Sequence, residues 1–398
     1  MSISAGQFDF NNPAFRADPY PAYRFLRQAA PLWKMPTGQW IVSTHAGCTA
    51  LLRDLRFGHE GAELEPGMAE EPAVAALHLM MLVRDPPEHT RLRGLVSKAF
   101  TARRMEALRP RIEAIVNELI DAVIDQGGMD VMADFARKLP VTVICDMLGV
   151  PEADRAPFLA ENVVRGRLLD PVPISRADLD LANAGQLATA AYFRGLFAYR
   201  RANPGDDLTT ALLAARENDD ALSDDEALAN IGLLFNAGHE TTTNLIGNGL
   251  LALHRNPAQL ARLRDDPGLI PNAVEELLRY DSPVQLTGRR ALEPGEVLGR
   301  PIAAGEQVIA LLGAANRDPA AYPGDPEALD VGRPGVRAIS FGGGIHHCLG
   351  AQLARIEGEI AFRVLLARLP GLRLLDMDAV AWKPTITLRG PAALPAAW

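Results

Sequence analysis

The run Phe341-Gly342-Gly343-Gly344-Ile345-His346-His347-Cys348-Leu349-Gly350 carries the strongest chemical signal in the chain. Glycine tolerates positive φ and lets a flat ligand come close to the backbone. The run ends in a cysteine just ahead of a helical pattern. The positive end of a helix favours an anion, so Cys348 is placed to be a thiolate. Neighbouring backbone N–H groups can bond the sulfur and tune it. Two plainer roles compete, a core cysteine and a zinc ligand. Zinc is disfavoured because His346, His347 and Cys348 are contiguous and no second ligand pair stands at useful spacing. A second segment, Ala237-Gly238-His239-Glu240-Thr241-Thr242, lies inside a long helical pattern. Glycine beside a hydroxyl residue in mid-helix can loosen the backbone ladder and open a groove for a small ligand or water. Glu240 and Thr241 offer an acid and a hydroxyl, the parts of a proton relay. The zinc pattern His-Glu-x-x-His fails here because position 243 is Thr, and an ordinary buried threonine is the plainer alternative. In Glu276-Leu277-Leu278-Arg279, a carboxylate and a guanidinium share a helix face at i, i+3. Most such pairs are exposed and worth little.

These groups need rigid elements to hold them. Helical patterns cover about 223–254, 268–280 and 349–369, one for each segment above. Others run from 88 to about 125, broken near Phe100-Thr101 by a cap, and through 130–150, 154–170 and 176–202. Residues 12–27 read as a turn-rich lead-in and a short helix, 40–54 as a strand and a helix, and 58–84 as a loop with a short helix. The acidic stretch 214–227 reads as a surface connection. After Asp281 the Gly/Pro punctuation of 287–311 suggests short strands and turns, followed by an irregular stretch, 316–337. No linker divides the chain. The expectation is one domain over 1–398, mostly α with a minor antiparallel β part (α+β), as a helical lobe and a smaller β-containing lobe.

Composition narrows the function. The 398 residues carry 40 Lys+Arg against 49 Asp+Glu, a net charge of −9, and 48% are apolar. An acidic chain whose only lysines are Lys34, Lys98, Lys138 and Lys383 is a poor nucleic-acid binder. None of them follows glycine, so there is no phosphate loop. The first residues show no secretory leader, and the closing LPAAW is no prenylation box. No uncharged apolar run reaches the roughly 18 residues of a membrane helix. Cys48, Cys145 and Cys348 are odd in number and far apart, which suits a reducing cytoplasm better than a disulfide scaffold.

Phe341 to Gly350 matches F-G-x-G-x-H-x-C-x-G at every fixed position. On this motif the chain closely resembles the cytochrome P-450 family. The resemblance implies that Cys348 is the axial thiolate ligand of iron in haem b, the kind of ligation that favours O–O cleavage. Phe341, Gly342 and Gly350, with Ala237 and Gly238, would lie against the cofactor. Ala237-Gly238-x-Glu240-Thr241 matches the family's oxygen-activation motif, which makes Thr241 the hydroxyl and Glu240 the acid of that step. Glu276 and Arg279 match E-x-x-R and, with Arg333 eight residues before Phe341, are implied as structural. His89, Arg93, Arg289 (with Arg290 as a substitute) and His346 are the implied haem-propionate partners, because two buried carboxylates need cations or N–H donors. His45, His59, His78, His254 and His347 receive no role. The resemblance spans nearly the whole chain, and ADPYPAYRFLR, DPPEHTRLRGLVSKAF and ANRDP read like bacterial members. Leu329 stands where many members have Phe, and Gln352 where many have Pro.

The resemblance further implies a soluble, cytoplasmic, bacterial-type monooxygenase of secondary metabolism. It would insert one oxygen atom from O2 into an apolar small molecule, hydroxylation being the default. The chain has no flavin or iron–sulfur domain, so electrons are expected from a separate ferredoxin and its reductase, docking on a basic patch near Lys98, Arg103, Arg104 and Arg355. A monomer is expected. The implied pocket draws on Leu77, Met80, Leu82, Asn236, Ala237, Val284, Leu286, Thr287, Thr387 and Leu388, with Gln285 and Ile386 beside them. The stretch 160–195 is the implied lid, where Arg165 or Arg167 could admit an anionic substrate. A haem-thiolate peroxygenase, isomerase or ligand sensor, or a haem-free scaffold, are the alternatives; the acid–threonine pair and the intact Cys348 speak against them.

Overall fold

Ser223 opens the helix that organises the molecule. Its hydroxyl accepts the Glu226 N–H and the Glu226 carboxylate accepts the Ser223 N–H, a capping box with Asp224, Asp225 and Glu226 at the positive helix end. From there the helix runs over Asp224–Arg255 and is buried on all sides from Thr242 to Leu253. A helix apolar all round must be enclosed by others. Here Lys138–Leu148, Ile270–Tyr280 and Ala351–Arg368 enclose it, and Leu245, Leu250, Leu277, Ile360 and Phe362 meet in the main core. The structure, a computed structural model, describes residues 8–10, 12–61, 66–98, 100–159, 163–216 and 220–398, the side chains of 163–165 excepted.

Most expected helices are present. Glu88–Ser97 is followed by Ala102–Ala107, which Thr101 caps by accepting the Arg104 N–H. A further break before Arg109–Asp121 has a local cause: Pro110 lacks an N–H and belongs in a first turn. Two expectations need correction. The stretch 154–170 is not one helix but Ala156–Leu159 and a 3-10 turn, Val163–Leu169, with Gly166 at its middle. The stretch 130–150 begins with a wide π turn, Val131–Ala136, before Lys138–Leu148 ends at Gly149 with φ 71°. The last residues of 214–227 start the long helix instead of remaining a connection.

The β part is small. The largest sheet has the order Leu32–Lys34, Trp40–Val42, Gln307–Ala310, Thr287–Ala291, Phe57–Gly58. Its pairings are antiparallel except Trp40–Val42 with Gln307–Ala310, which is parallel. A three-stranded sheet and one hairpin, both antiparallel, complete it. The molecule is therefore mostly α with small, chiefly antiparallel sheets. Among the described residues, no helix is long and apolar enough to cross a membrane.

Candidate active site

Cys348 ends the glycine-rich loop two residues ahead of the Gly350 cap of Ala351–Arg368. Gly342 and Gly344 take φ 70° and 65°, a region closed to most side chains. At Gly344 there is also no room: a Cβ would stand 2.1 Å from Leu52 O. The turn closes when the Cys348 N–H donates to Phe341 O at 2.9 Å. Phe341 is held from behind by the Arg355 guanidinium, 4.5 Å from its ring centre. Cys348 lies deep yet is exposed, because it faces a large cavity. Burial pushes its free thiol up; the Gly350 N–H, Arg93 and Arg355 pull the other way.

Nitrogen donors gather at one edge of this cavity. The His89 and His346 rings are 4.2 Å apart, centre to centre, and His59 stands 4.6 Å from His346. His59 Nε2, His346 Nε2 and both nitrogens of His89 are buried without a hydrogen-bond partner. Arg289 is buried among them, spending one nitrogen on Thr287 Oγ1 and Gly288 O, and Arg93 donates to His347 O at 2.6 Å. Strand alternation decides between the two arginines: Arg289 faces inward, while Arg290 donates to Gly305 O. The surroundings strongly disfavour further positive charge. Burial, then Arg289 and the neighbouring imidazoles, lower His59 to about 2 and His346 to about 3. Burial also brings Arg289 down to about 10 and lowers His89. Asp85 beneath them accepts the His59 and Glu60 N–H groups and lies 4.0 Å from His346 Nε2. His59 was given no role on sequence. Nothing local marks it, since its neighbours come from residues 85–93 and 346.

On the long helix, Ala237, Gly238, Glu240 and Thr241 line the same cavity as Cys348. The expected loosening of the helix is absent, and regular helix runs through. The Thr241 hydroxyl donates to Ala237 O at 3.0 Å and Thr243 to His239 O at 2.8 Å, each doubling up on an i−4 carbonyl. Glu240 is 9% exposed, with Lys383 Nζ 3.9 Å away. The cavity measures about 600 Å³. Leu77, Met80, Leu82, Asn236, Val284, Leu286, Thr287, Thr387 and Leu388 all line it, as expected. Gln285 and Ile386 do not. Gln285 turns away to donate to Tyr20 Oη and Ser282 O, and Ile386 joins the N-terminal core with Phe15 and Tyr23. The covering stretch contributes Gly166, Leu168, Leu169 and Gln186. Arg167 is committed to Asp178, and the Arg165 side chain lies outside the described residues.

Glu276, Arg279 and Arg333 form a fully buried cluster behind the loop. Arg279 binds Glu276 through two nitrogens at 2.7 and 2.8 Å, and Arg333 Nε meets both carboxylate oxygens at 3.2 Å. Their remaining donors go to the carbonyls of Asn316, Pro323, Asp325, Pro326 and Ala328.

The family model described as cytochrome P450 matches residues 195–267 and 268–370. The chain is 41% identical to the cytochrome P450 monooxygenase PikC of Streptomyces venezuelae, over 96% of this chain and 92% of that one. It is equally similar, 41%, to the 6-deoxyerythronolide B hydroxylase of Saccharopolyspora erythraea, over 97% and 98%. The chain belongs to the cytochrome P-450 family. A solved structure of P450BioI, in complex with an acyl carrier protein bearing hexadec-9Z-enoic acid, superposes with a TM-score of 0.90 at 38% identity, covering 97% of this chain and 99% of that one. This cytochrome P-450 is a monooxygenase, an oxidoreductase of class EC 1.14. The family implies a haem-thiolate cofactor, redox partners and a substrate. The residues fit such a group. A cysteine faces a cavity wide enough for a flat ring, glycines leave the backbone bare beside it, and a cluster of unpartnered N–H donors waits at the edge where two carboxylates would lie.

Proposed function

We propose that this cytochrome P-450 hydroxylates an apolar, medium-sized metabolite with O2, using haem b and electrons from a ferredoxin and its reductase. In this reading Cys348 is the thiolate ligand. His89, Arg93, Arg289 and His346, joined by His59, hold the two propionates. Phe341, Gly342, Gly350, Ala237 and Gly238 flank the ring. When bound, the haem supplies oxygen activation and oxygen transfer. Glu240 and Thr241 hold and pass the protons which that chemistry consumes, the last from Thr241 Oγ1. Leu77, Met80, Val284, Leu286 and Leu388 bind and orient the substrate and keep water out. Asn236, Thr287, Thr387 and Gln186 supply the few polar contacts. The protein works as a monomer, a single domain over 1–398, in the cytoplasm.

One observation carries the reading: a single cavity joins Cys348 to Glu240 and Thr241 across a largely apolar wall. An apolar wall with few polar groups suits apolar ligands. Relatives agree in kind, one structure holding myristic acid at 43% identity and another testosterone at 32%. The test is the absorption spectrum of the haem-loaded, reduced protein under carbon monoxide. A Soret band at the red-shifted position of thiolate-ligated haem is expected, and Cys348→Ser abolishes it. Titration with myristic acid, testosterone and 6-deoxyerythronolide B should then displace bound water for at least one of them. A spectrum of histidine-ligated haem would overturn the assignment of Cys348.

A further inference from the structure

Lys383 is the one buried lysine of the four in the chain, 7% exposed. A buried ammonium is costly unless it is paired and hydrogen-bonded. Lys383 stands in a tight turn of chain that follows the last helix. Its N–H donates to Gly390 O at 3.0 Å, and Trp382 bridges Pro391 next to it. Gly390 lets this turn lie flat on the long helix, since a Cβ there would stand 2.1 Å from Asn244 Oδ1. The ammonium so held donates to Asn244 Oδ1 at 3.1 Å and lies 3.9 Å from Glu240 Oε1. Glu240 and Asn244 are i, i+4 neighbours on one helix face. The other carboxylate oxygen faces the covering segment, where a Cβ on Gly166 would stand 3.3 Å from Glu240 Oε2. Lys383 also lines a second, small cavity of about 20 Å³, with Arg16, Gln285, Thr385 and Arg389. That is room for one water beside the ammonium.

We propose that Lys383 is the positioning residue of the proton relay: its ammonium keeps Glu240 ionised and fixes the carboxylate beside Thr241. The inference rests on the reading of Glu240 and Thr241 as that relay. Among the described residues, the other charged and titratable groups near this face have partners of their own. His239 Nδ1 meets Phe235 O at 2.7 Å, Arg167 is paired with Asp178, Asp170 accepts the Ile386 and Thr387 N–H groups, and Arg389 is paired with Asp281. The pairing brings an element from the far end of the chain into control of the acid.

Two readouts test it. The first needs no turnover. Infrared difference spectra between each protein and its Glu240→Gln counterpart isolate the Glu240 carboxyl. Parent protein should show no protonated-carboxyl band at pH 7. Lys383→Met should show one, with the titration midpoint raised by roughly 1–3 pH units, the usual effect of losing a cation this close. Lys383→Arg should restore the ionised form, which separates loss of charge from loss of fold. The second compares haem-loaded variants with myristic acid as probe, driven by O2 and electrons or by hydrogen peroxide, which brings its own two protons. Lys383→Met and Glu240→Gln should each lower the O2-driven kcat about tenfold, a larger factor than the loss in the peroxide-driven rate. An ionised Glu240 in Lys383→Met, or an unchanged O2-driven kcat there beside a slowed Glu240→Gln, overturns the proposal and leaves the relay standing. An unchanged Glu240→Gln overturns the relay and the proposal with it.

Discussion

In the proposed reading, His59, His89 and His346 are bases kept neutral until the propionates arrive. Each is buried among imidazoles and arginines, so none can hold a proton in the free protein near neutral pH. An unfolded histidine titrates near 6.5. With the folded values of His59 and His346 depressed to about 2 and 3, the unfolded chain binds more protons below pH 6.5. Stability is therefore present above that pH and lost as the pH falls. By pH 5 His59 and His346 should each cost the haem-free protein about 2 kcal/mol. His59→Leu should recover about that amount, read as a smaller drop in the urea midpoint between pH 7 and 5. A parallel pH dependence in parent and variant would show that His59 is not buried neutral. The same variant should release haem to apomyoglobin about fivefold faster, the worth of one neutral hydrogen bond near 1 kcal/mol. The sequence motifs could not reveal His59, because what gives it a part is the His346 ring, which only the fold brings to 4.6 Å and which itself stands 4.2 Å from His89.

At the scale of elements, the buried cluster of Glu276, Arg279 and Arg333 ties Ile270–Tyr280 to the irregular chain before the cysteine loop. Every guanidinium nitrogen in it has an acceptor, so removing one member strands a charge in the core. Arg333→Leu should cost roughly 3–5 kcal/mol in urea unfolding, and Arg333→Lys should recover only part, because an ammonium cannot reproduce the fork of bonds to three carbonyls. A cost below 1 kcal/mol would mean the cluster is not what holds this chain segment. Glu276-x-x-Arg279 was visible in the sequence as a helix pair, but spacing alone gives no burial, and burial is what separates this pair from a surface one. Where local signals dominate, the sequence was a sound guide: the start of the long helix near Ser223, the Thr101 cap and the glycines of the loop sit where expected. It failed where distant residues decide. Gln285 turned from the cavity because Tyr20, 265 positions away, offers it a partner. Residues 154–170 looked helical by pattern, yet their chain is fastened through Asp170 to the backbone of Ile386 and Thr387. Lys383 carried no motif at all.

For the whole molecule, charge sets a condition on electron delivery. At −9 overall, the protein would repel the acidic ferredoxin proposed as its donor at long range, so that docking would depend on local cations. The helix Ala102–Ala107 is pinned beside the cysteine by Gln352, whose side chain donates to Glu106 at 3.0 Å. The four expected cations, Lys98, Arg103, Arg104 and Arg355, are not equally available. Arg355 is tied to Glu275 and stacked on Phe341, which makes it a support of the cysteine loop. Arg104 has Asp206 at 3.5 Å. Lys98 and Arg103 are exposed, and Lys98 donates to Arg216 O at 2.7 Å. The double variant Lys98→Glu, Arg103→Glu should therefore slow reduction by a [2Fe–2S] ferredoxin about tenfold at low salt. The gap to the parent protein should close as ionic strength rises and screening shortens to about 3 Å near 1 M. Arg355→Glu should act differently, shifting the Soret band and weakening haem retention at every salt concentration, because it releases Phe341 from behind the loop. Stopped-flow reduction across a salt series separates the two. Should the double variant match the parent at all salts while Arg355→Glu alone shows a salt-dependent loss, the donor meets the protein at Arg355 and the stacked arginine is contact surface after all.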